Sequence, residues 1–435
     1  MERLAIKGGM PVRTELLPYG HQWIDGEDIA AVVEVLKGDW ITQGPKVEEF
    51  EMAVAEYCDA KYAVAMSSGT AALHAACAVA GISQGHEAVT TPITFAATAN
   101  AIVYCGGKPV FADIREDTLN IKPGEIRKKI TPQTTAILPV DFAGHPVDWD
   151  EIKVIAEERN LVIIEDASHA LGAEYKGHKI GGLADMTVFS FHPVKHITTG
   201  EGGMLLTNNE EFYHKLKVFR HHGIVRDGLE NVTPNVILRE SFAPCHSEGA
   251  KRPKNLAQDD RKAAEQSDGL DEKGPWYYEI YNPGYNFRIT DFQCALGLSQ
   301  LKKLDRLIWR RREIAARYNE AFAQIKEVVI PVEEDFAKAA YHIYVIQLRT
   351  ELLKVGRREV FEALRAENIG VNVHYMPLHL HPFYQNRFGY RRGDYPNAEN
   401  YYDRAITLPI FPKMSDEDVE DVIEAVKKVV LCYAV

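Results

Sequence analysis

The stretch YAVAMSSGTAALHAACAVAG, residues 62–81, contains an apolar strand, a turn of small polar residues and an alanine-rich helix in direct succession. The same order recurs further along the chain, where EAVTTP precedes TFAATANAIVYCG and AILPVDF precedes DWDEIKVIAEERN. Short apolar runs followed by segments of helical periodicity are typical of strands that alternate with helices. This alternation predicts an α/β fold with a mostly parallel sheet flanked by helices.

Composition narrows the classes of function. The chain has 435 residues, of which 46% are hydrophobic, so it can bury a large core. A formal net charge of −12 disfavours binding to nucleic acid or to an anionic membrane. No segment approaches the roughly 20 apolar residues that a membrane span requires. The six cysteines are scattered without C-x-x-C spacing, so no metal site is predicted. We therefore expect a cytoplasmic protein without nucleic acid or a membrane as partner.

The sequence pattern divides the chain into four segments. Residues 1–228 are expected to form an N-terminal segment and a large ligand-binding domain. Residues 229–273 are mostly polar and lack a sustained period, which predicts a loop or a disordered insertion. Residues 274–327 contain a return segment and a long linking helix, and residues 328–435 are expected to form a smaller C-terminal α+β domain.

An aspartate and a lysine follow two of the apolar runs. Asp166 ends LVIIED, and Lys195 follows MTVFSF within SFHPVKHITTGEGG. The carboxyl ends of parallel strands meet at one edge of a sheet, where ligands bind. A lysine buried there has a lowered pKa and supplies the neutral amine that forms a Schiff base. A carboxylate facing that lysine is the pairing that pyridoxal phosphate requires. A simple ion pair at a strand edge is the alternative interpretation.

A phosphate site is indicated near the same edge. The turn SSGT, residues 67–70, precedes a helix whose first N–H groups can bind an anion. The Thr70 and Ser190 hydroxyls can add hydrogen bonds. Phe95 follows another strand end and could lie on the face of a flat ring.

Four motifs resemble one known family. SSGTAALH, EDASHALGAEYKG, VFSFHPVKHITTGEGGML and GYNFRITDFQCALGLSQLKKLD are together similar to the DegT/DnrJ/EryC1/StrS sugar aminotransferases. The resemblance covers nearly the whole chain except about residues 229–273. It implies a fold-type I enzyme that uses pyridoxal 5'-phosphate on nucleotide-linked keto sugars. It also implies that Lys195 binds the cofactor and moves the proton, Asp166 partners the ring nitrogen, His169 lies near the phenolic oxygen and Phe95 stacks on the ring.

The same resemblance assigns the phosphate contacts and the assembly. Gly69, Thr70 and Ser190 would hold the phosphate. Asn286, within GYNFR, matches the position at which the family reaches into the neighbouring subunit's cofactor phosphate. The resemblance therefore implies a homodimer with shared active sites.

Further stretches narrow the branch of the family. TQGPKVEEFE, FRHHGIVRD and NVHYMPLHLHPFY resemble the branch that acts in pseudaminic acid biosynthesis on a UDP-linked 4-keto-6-deoxy-N-acetylhexosamine. The resemblance implies that glutamate donates the amine and that UDP-4-amino-4,6-dideoxy-N-acetyl-β-L-altrosamine is the product. The residues that match the sugar-nucleotide pocket of that branch are Tyr19, Trp40, Thr42, His374 and Tyr375.

Three alternatives remain open at this level. The chain could aminate another nucleotide-linked keto sugar within the same family. It could be a deoxysugar dehydratase, although that branch replaces the lysine with histidine. It could also be a non-catalytic sugar-binding regulator on the same fold, against which the intact Lys195 and Asp166 argue.

Overall fold

The computed structural model describes residues 3–225 and 276–435, so the predicted insertion at 229–273 lies outside the described residues. The helices of the described chain are Gly26–Lys37, Pro45–Tyr57, Gly69–Val79, Ala96–Tyr104, Pro123–Lys129, Trp149–Arg159, Glu210–Arg220, Asp291–Leu301, Leu304–Phe322, Arg357–Ala366, Pro382–Phe388, Pro396–Arg404 and Asp416–Tyr433. Within these ranges, none of the helices combines the length and the apolar character that crossing a bilayer requires.

A seven-stranded sheet forms the centre of the larger part of the chain. Its strands lie in the spatial order Tyr62–Met66, Gly203–Thr207, Met186–Ser190, Val162–Asp166, Thr134–Leu138, Glu87–Thr90 and Lys108–Phe111. Gly203–Thr207 runs antiparallel to both of its neighbours. The other neighbouring pairs are parallel. The prediction of a mostly parallel sheet flanked by helices is confirmed.

The sheet is buried on both faces, which explains the continuous apolar runs in its strands. All five residues of Gly203–Thr207 are buried, as are the last four of Tyr62–Met66. The helix Gly69–Val79 is buried at every position except Thr70. Its alanine-rich sequence permits this burial, because small side chains let neighbouring elements pack closely against the helix on every side.

The register of the strands brings the predicted polar ends together. Met66 and Ser190 both pair with Gly203, so the turn after Met66 lies beside Ser190. Asp166 pairs with Val188, two residues before Ser190. The turn SSGT, the end of LVIIED and the segment that carries Lys195 therefore meet at one edge of the sheet.

A second core lies in the C-terminal part of the chain. Three antiparallel strands, in the order Val328–Val329, Tyr344–Leu348 and Ala405–Leu408, pack with the helices Arg357–Ala366 and Asp416–Tyr433. Leu4 and Leu17 from the start of the chain belong to the same cluster. The core of this part of the chain therefore includes residues from the N-terminal segment.

The predicted long linking helix is two helices, Asp291–Leu301 and Leu304–Phe322. Lys303 donates its backbone N–H to Gln300, three residues back, which tightens the turn and separates the helices. The Lys303 ammonium lies 2.7 Å from Asp28 Oδ1. The break therefore lies at the point where this chain segment contacts the helix Gly26–Lys37.

Candidate active site

A cavity of about 590 Å³ opens at the carboxyl ends of the central strands. It brings together most of the residues that the sequence singled out. The predicted residues that line it are Tyr19, Gly69, Thr70, Phe95, Asp166, His169, Ser190, Lys195, His374 and Tyr375.

Asp166 presents a firmly oriented carboxylate to this cavity. The residue is only 5% exposed. Thr98 Oγ1 donates to Asp166 Oδ2 over 2.6 Å, and the Ser168 hydroxyl donates to Oδ1 over 2.6 Å. The Ser168 N–H donates to the same Oδ1 over 3.2 Å. These donors hold the carboxylate in one orientation towards the cavity.

Lys195 lines the same cavity as Asp166 and lies in a turn closed by the hydrogen bond from its N–H to the His192 carbonyl. Burial lowers the pKa of the Lys195 amine to about 8, Asp166 opposes that shift, and the Arg311 charge adds to it. Lys195 Nζ is 3.4 Å from His342 Nε2. A substantial fraction of the amine is therefore neutral near physiological pH, which is the form that attacks a carbonyl.

Neutral imidazoles surround the amine. Burial, followed by the charge of Lys195, holds the pKa values of His169 and His342 well below the ordinary histidine range. Their rings are 4.4 Å apart, and His169 Nε2 is 3.3 Å from Tyr375 Oη. Within the described residues His169 Nδ1 is buried without a hydrogen-bond partner. His374 has a pKa of about 4, also because of burial.

The turn at residues 67–70 lines the same cavity and begins a helix. A Cβ on Gly69 would lie 2.9 Å from Ser190 Cβ, so only glycine lets the helix begin this close to that hydroxyl. Ser68 caps the helix Gly69–Val79 by accepting the Ala71 N–H, which leaves the Thr70 hydroxyl at the cavity wall. The start of this helix and the Thr70 and Ser190 hydroxyls thus line one cavity, where the N–H groups of a helix start can bind an anion.

The residues present fit pyridoxal 5'-phosphate. The turn at residues 67–70, the Asp166 carboxylate and the partly neutral Lys195 amine line one cavity. Phe95 is 60% exposed at the cavity wall, so a face of its ring is available for stacking. In the part of the chain that the structure describes, no three His, Cys, Asp or Glu side chains are grouped to hold a metal ion.

Three predicted residues lie outside this cavity in the single chain. Thr42 pairs with Thr290, and Asn286 pairs with His221. Trp40 is 62% exposed. Neighbours of these residues line a second cavity of about 400 Å³, which includes Gln43, His221 and Arg288.

Sequence reasoning missed His342, Thr98 and Arg311. His342 lies two residues before the strand Tyr344–Leu348, so a search of carboxyl strand ends does not find it. Thr98 lies inside the helix Ala96–Tyr104, and Arg311 lies inside Leu304–Phe322, where a charged residue is ordinarily read as solvated. Only tertiary packing reveals these three side chains.

Comparisons with known proteins agree with this geometry. The sequence profile described as the DegT/DnrJ/EryC1/StrS aminotransferase family matches residues 22–427. The spore coat polysaccharide biosynthesis protein SpsC of Bacillus subtilis is 42% identical over 419 residues, which cover 96% of this chain and 98% of SpsC.

Two further relatives have names that describe a reaction or a pathway. The UDP-4-amino-4,6-dideoxy-N-acetyl-beta-L-altrosamine transaminase of Campylobacter jejuni is 37% identical over 423 residues, covering 95% of this chain and 99% of that protein. The solved structure of Helicobacter pylori PseC, an aminotransferase involved in the biosynthesis of pseudoaminic acid, superimposes with a TM-score of 0.81. It is 31% identical and covers 97% of this chain and 100% of its own.

Proposed function

The chain belongs to the DegT/DnrJ/EryC1/StrS aminotransferase family, and from this membership we propose that it transfers an amino group from glutamate to C4 of a UDP-linked 4-keto-6-deoxy-N-acetylhexosamine. The product would be UDP-4-amino-4,6-dideoxy-N-acetyl-β-L-altrosamine, within pseudaminic acid biosynthesis. The observation that carries the chemistry is the partly neutral Lys195 amine facing the Asp166 carboxylate in one cavity. The choice of sugar is supported by the likeness to the Campylobacter and Helicobacter proteins.

Pyridoxal phosphate, when bound, would withdraw electrons from the carbon that loses its proton. The chain would hold it through Ser190, Thr70 and the helix that begins at Gly69, with Phe95 against one face. Asp166 would face the ring nitrogen, with its carboxylate held in place by the Thr98 and Ser168 hydroxyls. Each of these groups orients a bound molecule without moving a proton.

Lys195 would perform the proton transfers. In each half-reaction its neutral amine would take up one proton and release it again: it would take the α-proton from glutamate in the first, and it would deliver a proton to C4 of the sugar in the second. His169 and His342 have pKa values well below the ordinary range, so they stay uncharged beside it and do not add repulsion. The amine can therefore alternate between its neutral and its charged form.

The proposal includes a homodimer in which Trp40, Thr42 and Asn286 reach the partner's cavity. Exposed aromatic surface beside Asn286 supports it. Tyr104 and Tyr285 both contact the His74 ring and are 55% and 36% exposed. Mixing Lys195→Ala protein with Asn286→Ala protein tests the arrangement, since exchange of subunits would create one site with both residues intact. Recovered activity is expected, and a monomer by light scattering would contradict the dimer.

The visible absorption of the protein loaded with pyridoxal phosphate tests the reaction itself. We expect glutamate to remove the visible band and the UDP-linked 4-keto sugar to restore it. Lys195→Ala should show neither change. If glutamate removes the band and this sugar fails to restore it, the family chemistry stands and the proposed acceptor is wrong.

A second acceptor has its own support. SpsC is 42% identical to this chain, a closer likeness than the Campylobacter transaminase at 37%, and its name places it in spore coat polysaccharide biosynthesis. A different nucleotide-linked keto sugar is therefore the second candidate. Testing which of several nucleotide-linked keto sugars restores the visible band after glutamate has removed it distinguishes the two candidate acceptors.

A further inference from the structure

Arg311 is a buried cation in the second layer around the cavity. It is 1% exposed, and its Nη1 donates to the carbonyls of Tyr341, His342 and Ile410 over 3.2, 3.0 and 2.9 Å. Within residues 3–225 and 276–435 no carboxylate forms an ion pair with it, and its Nε has no acceptor. Burying a charge without a counter-ion is costly. A residue that is retained despite this free-energy cost is expected to have a role in the site.

Two of the three carbonyls that Arg311 binds, those of Tyr341 and His342, belong to the turn that carries His342. Tyr341 has a φ of +46°, a left-handed conformation that is unfavourable for a bulky side chain. Arg311 holds both peptide carbonyls of this turn, and the His342 N–H donates to the Ala143 carbonyl over 2.9 Å. The turn is thereby fixed with the His342 ring 3.4 Å from Lys195 Nζ.

Arg311 also contributes to the electrostatic environment of the Lys195 amine. Two carboxylates line the cavity, Asp166 and the exposed Glu201, and of these it is Asp166 that favours the ammonium form of the amine. The surrounding imidazoles, His169, His196, His342 and His374, all have pKa values lowered by burial. Burial lowers the pKa of Arg311 to about 9, so it remains charged at neutral pH. Its charge opposes that of Asp166 at the amine.

We propose that Arg311 is a positioning residue for Lys195, which fixes the turn carrying His342 and sets a buried positive charge behind the amine. The proposal rests on the role given to Lys195 above. It predicts that the neutral fraction of the amine at a given pH depends on a guanidinium that never reaches the substrate.

The rate at which cofactor-free, full-length protein captures added pyridoxal 5'-phosphate reports the neutral amine directly. It is measured against pH from the growth of the visible band, and comparison between variants cancels the titration of the cofactor. Arg311→Gln removes the charge and keeps N–H donors for the carbonyls, whereas Arg311→Lys keeps the charge. Arg312→Gln is the matched control, because the adjacent Arg312 also binds carbonyls, those of Ala339 and Gly172.

We expect the capture rate of the wild type, plotted against pH, to have its midpoint near pH 8. In Arg311→Gln this midpoint should rise by about one pH unit, which makes capture about tenfold slower below the midpoint. Arg311→Lys and Arg312→Gln should keep the wild-type midpoint. An unchanged midpoint in Arg311→Gln, or an equal rise in Arg312→Gln, would overturn the proposal. If Arg311→Gln fails to fold, a raised midpoint in Arg311→Lys would overturn it, as would a wild-type midpoint at the ordinary lysine value.

This experiment separates the two proposals. If the wild type forms no band, or Lys195→Ala forms the same band, the role of Lys195 is wrong and the proposed function fails. If the band depends on Lys195 but the midpoint does not change when Arg311 is replaced, only the role proposed for Arg311 is wrong.

Discussion

Thr98 Oγ1 lies 2.6 Å from Asp166 Oδ2 and joins the helix Ala96–Tyr104 to the end of the strand Val162–Asp166. Ser168 occupies the other carboxylate oxygen. Both oxygens are thus oriented by the chain itself before any ligand arrives. Preorganisation of this kind lowers the entropic cost of binding.

Replacing Thr98 with valine should weaken cofactor binding. The substitution keeps the shape and removes one hydrogen bond to a charged group, a loss of about 1.5–3 kcal/mol. We expect the Kd for pyridoxal 5'-phosphate, measured by absorption titration, to rise at least tenfold. Thr98→Ser keeps the hydroxyl and should bind nearly as the wild type does. Equal Kd values for valine and serine would show that the hydrogen bond does not orient Asp166.

The buried pair Asp141 and Glu165 should make stability depend on pH. Both are 0% exposed, and burial raises the pKa of both, that of Glu165 to about 7. A raised carboxyl pKa contributes stability that is complete below the unfolded value of 4.5 and is lost as pH rises through about 7. The free energy of unfolding from urea titrations should therefore be lower at pH 8 than at pH 5.5.

Glu165→Gln tests this assignment, because the amide cannot ionise. The variant should show a smaller fall between the two pH values than the wild type. Glu157→Gln, at an exposed position on the helix Trp149–Arg159, should retain the wild-type difference. A Glu165→Gln protein with the full wild-type fall would place the titration elsewhere.

Lys303→Met should destabilise the fold strongly. The Lys303 ammonium is 2.7 Å from Asp28 Oδ1 and 2.8 Å from Asp25 Oδ2, and Asp28 is 0% exposed. Removing the cation leaves a buried carboxylate without its charge partner, at a cost of about 3–5 kcal/mol. The adjacent, exposed Lys302→Met is the control and should change the free energy of unfolding by less than about 0.5 kcal/mol. Similar urea midpoints for the two variants would contradict this reading.

Sequence patterns located the residues that follow strand ends, and they could not locate those that reach the site from elsewhere. Asp166 and Lys195 follow apolar runs, so the rule for parallel sheets brings them to one edge. His342 precedes its strand and Arg311 lies within a helix, so no local pattern connects either of them to the lysine. The break at Lys303 also has no local signal, since no glycine or proline marks it, and the contact made there is with Asp28, 275 residues away in sequence.

The close approach of Gly69 to Ser190 supplies the last prediction. Gly69→Ala would place a Cβ 2.9 Å from Ser190 Cβ, so the start of the helix must move away from that hydroxyl. Affinity for pyridoxal 5'-phosphate should fall, whereas the slower capture of pyridoxal, which has no phosphate, should change little. Gly26→Ala is the matched control, because Gly26 also begins a helix and a Cβ there meets nothing within 4 Å. If Gly69→Ala weakens the binding of both aldehydes equally, the turn at residues 67–70 does not hold the phosphate.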